Sequence, residues 1–152
     1  MCIIEKQQLW YDNILSYRTR LEETALPGLI KFAESNLDAM DLKMTGNIIF
    51  SVNERIEEQD CTILGIELLI PVDKQFKSSS RYVFKPKFRL ENAVMCKFSG
   101  KSDRLKETGR KLCEYAAEKD LRVITDVYCL VKSVSDDDFV VDMYVGTSGN
   151  SL

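Results

Sequence analysis

Apolar positions follow two rhythms along this chain, alternation and helical spacing, in an order that occurs twice. Residues 8–21 carry Trp10, Tyr11, Ile14, Leu15, Tyr17 and Leu21 among polar neighbours, which predicts a strand with an interruption or bulge. Leu26, Leu29, Ile30, Ala33, Leu37 and Met40 then recur every three or four residues. Thr24 stands as an N-cap and Pro27 falls in the first turn, so an amphipathic helix is predicted to about Leu42. Gly46 opens NIIFSVNERIEE, and residues 61–72, CTILGIELLIPV, are apolar almost throughout apart from Glu67, which together predict a hairpin. Residues 74–87, with Lys74, Lys77, Ser78, Ser79, Ser80 and Pro86, read as a polar connector.

The second half repeats this order. Residues 88–98 predict a strand, and Ser102 or Asp103 caps a helix with Leu105, Gly109, Leu112, Cys113 and Ala116 on one face. Residues 123–131 and 139–145 form a hairpin around Asp136, Asp137 and Asp138, whose consecutive carboxylates lack the alternate spacing of a calcium loop and read as a solvated turn. A shift of 79 carries Leu26 onto Leu105, Ala33 onto Leu112, Leu37 onto Ala116, Leu42 onto Leu121 and Val52 onto Val131. After the shorter second turn a shift of 75 carries Glu67 onto Asp142 and Val72 onto Thr147. The expectation is one α+β domain over residues 1–152. It holds duplicated β-α-β-β units, roughly 8–73 and 88–147, which form one curved antiparallel sheet with two helices packed on one face.

Asp126 precedes Tyr128 by two residues and Asp142 precedes Tyr144 by two, so each acid shares a sheet face with a tyrosine. With Glu67 in the equivalent first-half strand and Trp10 and Tyr17 in the opening one, these residues are candidates for a pocket of acids walled by aromatics. A carboxylate buried without a cation is costly, and an arriving cation stabilised also by ring faces relieves that cost. The alternative is that the three acids face solvent or pair with Arg18, Lys97 or Arg122.

Composition narrows the chemistry. The net charge of −3 argues against a nucleic-acid partner, which normally meets a basic surface. No run approaches the roughly 20 apolar residues of a membrane span, and MCIIEKQQLW lacks the charge pattern of a signal peptide, so a cytoplasmic protein without a membrane partner is expected. Five cysteines, an odd number without C-x-x-C spacing, fit reduced thiols. The absence of histidine removes Ser-His-Asp and Cys-His catalysis and most zinc chemistry, and no cofactor is expected. An enzyme is not the expected reading, although a groove carboxylate with a raised pKa beside a tyrosine could serve a hydrolase. Arg104, Lys106, Arg110 and Lys111, alternating with Glu107 and Glu114, read as a solvated helix face.

This order of elements, with Asp126-Val127-Tyr128 opening the penultimate strand, Val141-Asp142-Met143-Tyr144-Val145 in the last and Ile66-Glu67-Leu68-Leu69-Ile70-Pro71-Val72 in the first half, resembles the gyrase-inhibitor-like effector-binding domains of multidrug-sensing bacterial regulators. Asp126 stands where the family often has glutamate, and Val145-Gly146-Thr147 lacks the proline of the family ending. The resemblance implies a groove between the halves that takes a small cationic or aromatic molecule, with Asp126, Asp142 or Glu67 countering its charge and Tyr128, Tyr144, Trp10 and Tyr17 lining it. A stand-alone effector-binding domain without a DNA-binding segment of its own is the function so implied. The chain is also similar to small uncharacterised Gram-positive proteins encoded near secreted-toxin systems. That similarity implies the alternative of a protein-interaction or chaperone-like accessory module using the same groove.

Overall fold

The computed structural model describes residues 2–148; residues 1 and 149–152 of the expected domain lie outside the described residues. Its elements are β1 (Ile3–Glu22), α1 (Leu26–Asp38), β2 (Ile49–Glu57), β3 (Thr62–Pro71), β4 (Tyr82–Lys101), α2 (Leu105–Glu118), β5 (Val123–Ser135) and β6 (Asp138–Thr147). This is the α+β arrangement the periodicities predict, with differences at the boundaries. Strand β4 begins at Tyr82, so residues 82–87 are not connector: Tyr82, Val83, Phe84, Lys85 and Lys87 pair with Tyr17, Ser16, Leu15, Ile14 and Asp12 of β1. Pro86 hid this strand in the sequence. Neither helix takes the expected side-chain cap; a single 3-10 turn, Glu23–Ala25 or Ser102–Arg104, leads into each instead.

The helices end alike. Asp41 and Asp120, 79 residues apart, both adopt left-handed φ angles of 56° and 58°. The following amides, of Leu42 and Leu121, donate to the carbonyls of Leu37 and Ala116. Such six-to-one bonds satisfy carbonyls that a helix end otherwise leaves without partners. Helix α1 therefore stops at Asp38, short of Leu42.

All strand pairs are antiparallel, in the order β1-β3-β2-β5-β6-β4, and β4 returns to β1, so the curved sheet closes into a barrel. The bulge expected within residues 8–21 lies at and before the start of that stretch: register shifts fall between Ile4, Gln7 and Leu9, and the pairing with β4 runs unshifted from Leu9 to Tyr17. Two seams join the halves. In the first Trp10 pairs with Arg89, and in the second Phe50 pairs with Cys129. Each of these two residues thus meets the one 79 positions further on. The first seam is long, but β2 and β5 are in register only at Ile49↔Leu130, Phe50↔Cys129 and Ser51↔Tyr128.

Side chains alternate between two cores. Leu26, Ile30, Ala33 and Leu37 of α1 and Leu105, Leu112 and Ala116 of α2 pack onto the outward sheet residues Leu15, Ile66, Leu68, Val94, Val141 and Met143. Inside the barrel, Ile14, Ile49, Leu69, Ala93, Met95, Leu130 and Tyr144 are buried without a helix over them. Closure of the sheet removes these from water, each large apolar side chain contributing roughly 1.5–3 kcal/mol.

Candidate functional site

The inner face gathers five of the seven candidate residues. Glu67 and Asp142 are 7% and 8% exposed, in matching places on β3 and β6. Arg18 stands opposite Glu67 in register and Lys97 opposite Asp142, and these two bases are again 79 apart. Glu67 accepts hydrogen bonds from Ser16 Oγ at 2.5 Å and Lys85 Nζ at 2.8 Å, with Arg18 Nε at 3.5 Å. Asp142 lies 3.6 Å from Lys132 Nζ. Tyr128 is opposite Tyr144, and its ring meets Phe88 edge-on with centroids 4.9 Å apart. Asp126 is exposed, and among the described residues no cation lies within ion-pair distance of its carboxylate.

Trp10 and Tyr17 do not join this group. Tyr17 lies on the helix side of β1 and packs against Tyr82 with ring centroids 5.6 Å apart, because its odd position has the phase of Leu15 and not of Ser16. Trp10 stands 52% exposed on the first seam, donating from Nε1 to Asp12 at 3.2 Å with the Arg89 guanidinium 4.4 Å above its ring.

Burial raises the pKa of Glu67, but the hydrogen bonds from Lys85 and Ser16 and the charges of Lys85 and Arg18 outweigh it and hold the carboxyl below its ordinary value. Glu67 therefore already has its cations. Burial raises the Tyr128 phenol, helped by Asp126 and Glu67 and opposed by Arg18, so these four groups form one electrostatic cluster. Burial also pushes the Cys129 thiol up to about 12 and that of Cys96 to about 11, which keeps both protonated.

A groove of about 440 Å³ lies on the other side of the second seam, between α2 and the barrel wall. Phe50, Cys129, Val127 and Met143 form its floor, Leu105, Gly109 and Cys113 its helix wall, and Glu54, Arg55, Lys106 and Arg110 its rim. Position 109 stands 79 beyond Ile30, which is buried at 5% beneath α1. Under α2 the corresponding side chain is missing. A Cβ at Gly109 meets Met143 Cε at 3.5 Å and Val127 Cγ2 at 3.6 Å, which is ordinary contact. No steric demand of the fold calls for glycine there, and mid-helix glycine costs about 1 kcal/mol relative to alanine. Gly109→Ala is therefore expected to raise stability by about 0.5–1 kcal/mol in urea denaturation while narrowing the groove; a loss of stability would show that the contacts are tighter than this.

Asn53 and Glu54, beyond the last residue of β2 that pairs with β5, line both this groove and an open cavity of about 580 Å³ on the inner side that also touches Arg18, Arg20, Glu67 and Asp126. The apolar groove and the acidic cluster are thus neighbours across the end of one strand. Sequence reasoning placed Gly109 and Cys113 on a helix face and missed the groove; the signal available was glycine in one half where the other has isoleucine. Lys85 was hidden in the presumed connector.

No protein-family model matches the sequence, and no curated protein does. Solved structures match across nearly the whole chain. The C-terminal domain of EcmrR is 11% identical with a TM-score of 0.64, over 97% of this chain and 99% of that one. Against EcmrR in its complex with DNA the TM-score is 0.66 at 11% identity, over 95% of this chain, which spans 57% of that one. SAV2435 bound to tetraphenylphosphonium matches with a TM-score of 0.53 and 11% identity, over 98% and 95% of the two chains. A hydrolase from Listeria innocua matches with a TM-score of 0.51 and 10% identity, over 93% and 91%. The chain shares its fold with the C-terminal domain of EcmrR and with SAV2435.

Proposed function

We propose that the chain binds a small apolar, aromatic molecule in the groove beside α2, its body on Phe50, Cys129 and Met143 and its positive end turned toward Glu54 and Asp126. The observation that carries this reading is the space left by Gly109 where Ile30 fills the equivalent place. Sulfur and ring atoms on the floor supply polarisable contact to an aromatic body. Of the three inward acids, Asp126 is the one with no cation within ion-pair distance among the described residues, so an arriving positive charge gains most there. The shared fold of SAV2435, bound to a lipophilic cation, supports the same ligand class.

Binding alone is the proposed activity. A general acid at neutral pH needs a raised pKa, and Glu67 is held the other way by Ser16, Lys85 and Arg18. Among the described residues no helix is long and apolar enough to cross a membrane, and all five cysteines are free, which supports a reducing, cytoplasmic setting.

The test is thermal denaturation with tetraphenylphosphonium and with the neutral triphenylphosphine oxide. At about 100 times its Kd the cation is expected to add about 2.7 kcal/mol. Gly109→Leu, which plugs the groove, is expected to abolish the shift with both compounds, and Asp126→Ala to remove only the preference for the cation. An undiminished shift in Gly109→Leu would overturn the assignment of the groove.

A further inference from the structure

The shift of 79 makes a further prediction, and the structure departs from it at one residue. Asn47 clasps one side of the second seam: its side-chain amide donates to the Val131 carbonyl at 2.9 Å, beside the Val131 amide bond to the Ile48 carbonyl at 2.8 Å. The shift of 79 carries Asn47 onto Asp126 and returns Val131 to Val52, so the matching clasp runs from residue 126 to the Val52 carbonyl. A carboxylate has no proton to donate and repels a carbonyl oxygen. Asp126 is turned out to solvent, and the register between β2 and β5 ends at Ser51↔Tyr128. From there residues 53–57 of β2 are paired only with β3, residues 123–126 of β5 have no partner in β2, and Asn53, Glu54 and Asp126 line an open slot where the two strands part.

We propose that this slot takes an extended, basic segment of a partner protein as an added strand. Unpaired strand edges offer the backbone donors and acceptors on which such addition depends. Apolar side chains stand exposed on both edges, Ile56 at 39%, Val123 at 37% and Ile124 at 59%. The charge selects the partner. Glu58, Asp60 and Asp126 have no cation within ion-pair distance among the described residues, and neither has the base Arg122 an anion; Arg18 and Arg20, which line the cavity beside Asp126, are held by Glu67 and Glu54, Arg55 by Glu23 at 2.8 Å and Lys106 by Glu57 at 2.9 Å. A second copy of this chain would bring acid against acid. A segment alternating apolar residues with lysine or arginine meets both the exposed apolar positions and the uncompensated carboxylates.

The probe is an octapeptide alternating valine and lysine, titrated by calorimetry with hydrogen exchange read in parallel. Binding is expected, with new protection of amides in residues 53–57 and 123–126. Methylating the peptide's alternate backbone nitrogens is expected to abolish it. Asp126→Ala is expected to weaken binding roughly fivefold, the scale of one exposed charge pair. Asp126→Asn, which also supplies the missing donor, is expected to close the slot and weaken it further. Glu58→Lys, outside the groove, is expected to weaken the peptide and to leave the thermal shift with tetraphenylphosphonium unchanged, which separates this slot from the small-molecule groove. Equal binding of the methylated peptide, of a valine–glutamate peptide, or by Asp126→Asn and wild type overturns the proposal. So does a concentration-dependent dimer abolished by Ile124→Lys, which assigns the edge to a second copy.

Discussion

Phe50→Ala is expected to cost about 3 kcal/mol and Phe139→Ala nearer 5 kcal/mol, although both rings are fully buried. The two side chains touch, with centroids 5.9 Å apart and planes inclined at 52°. What separates them is the far side of each ring. Phe50 forms the floor of the groove, so truncating it enlarges a space that water already reaches, and mainly the transfer free energy of the lost ring is forfeited. Phe139 is itself an outward-facing residue of the helix-side core and does not line the groove, so its removal leaves a closed void whose lining loses contacts as well. In thermal unfolding about 3 kcal/mol corresponds to a midpoint lower by roughly 10 °C for a chain of this length. Equal costs for the two variants, measured in urea with unchanged slopes, would show that the groove is closed in solution.

The same contrast marks what the sequence disclosed and what it withheld. Helix stripes and strand alternation sufficed for the order of elements because burial of one face per element leaves a period in the chain. The inward acids were legible for that reason: Glu67, Asp126 and Asp142 alternate with outward Leu68, Val127 and Met143. Tyr17 was legible, since counting in twos from Leu15 places it on the helix side; Trp10 was not, because the left-handed φ at Asn13 stands between it and Leu15 and breaks the count. Lys85 escaped because a proline beside it read as a break, yet the strand tolerates it. Barrel closure leaves no local period at all, since the β1–β4 and β2–β5 pairings join residues far apart in the chain. The site itself depends on departures from the repeat, Gly109 against Ile30 and Asp126 against Asn47. Such departures become informative once the shift of 79 is in hand.

Glu67→Leu is expected to lower stability by about 3 kcal/mol at neutral pH, and Glu67→Gln by about half of that. Leucine leaves the buried Ser16 hydroxyl, 3% exposed, without its acceptor and strips Lys85 of its closest anion. Glutamine keeps an oxygen for Ser16 and loses only the charge. The cost stays below that of a fully buried broken pair because Lys85 and Arg18, 40% and 71% exposed, can turn to water. The effect of pH follows from the direction of the shift. The folded-state pKa of Glu67 lies below the ordinary value of 4.5, so its charged form contributes stability that is complete above that value and is lost as pH falls through the folded-state pKa. Wild type is therefore expected to lose stability more steeply than Glu67→Gln between about pH 5 and about pH 2, and the two should converge at the acid end, where the wild-type carboxyl is as neutral as the amide. Urea midpoints across that range decide the matter. A constant gap between the two proteins would mean that Ser16, and not the two cations, accounts for the effect of Glu67, and would free this acid for the ligand-binding role that its present partners now oppose.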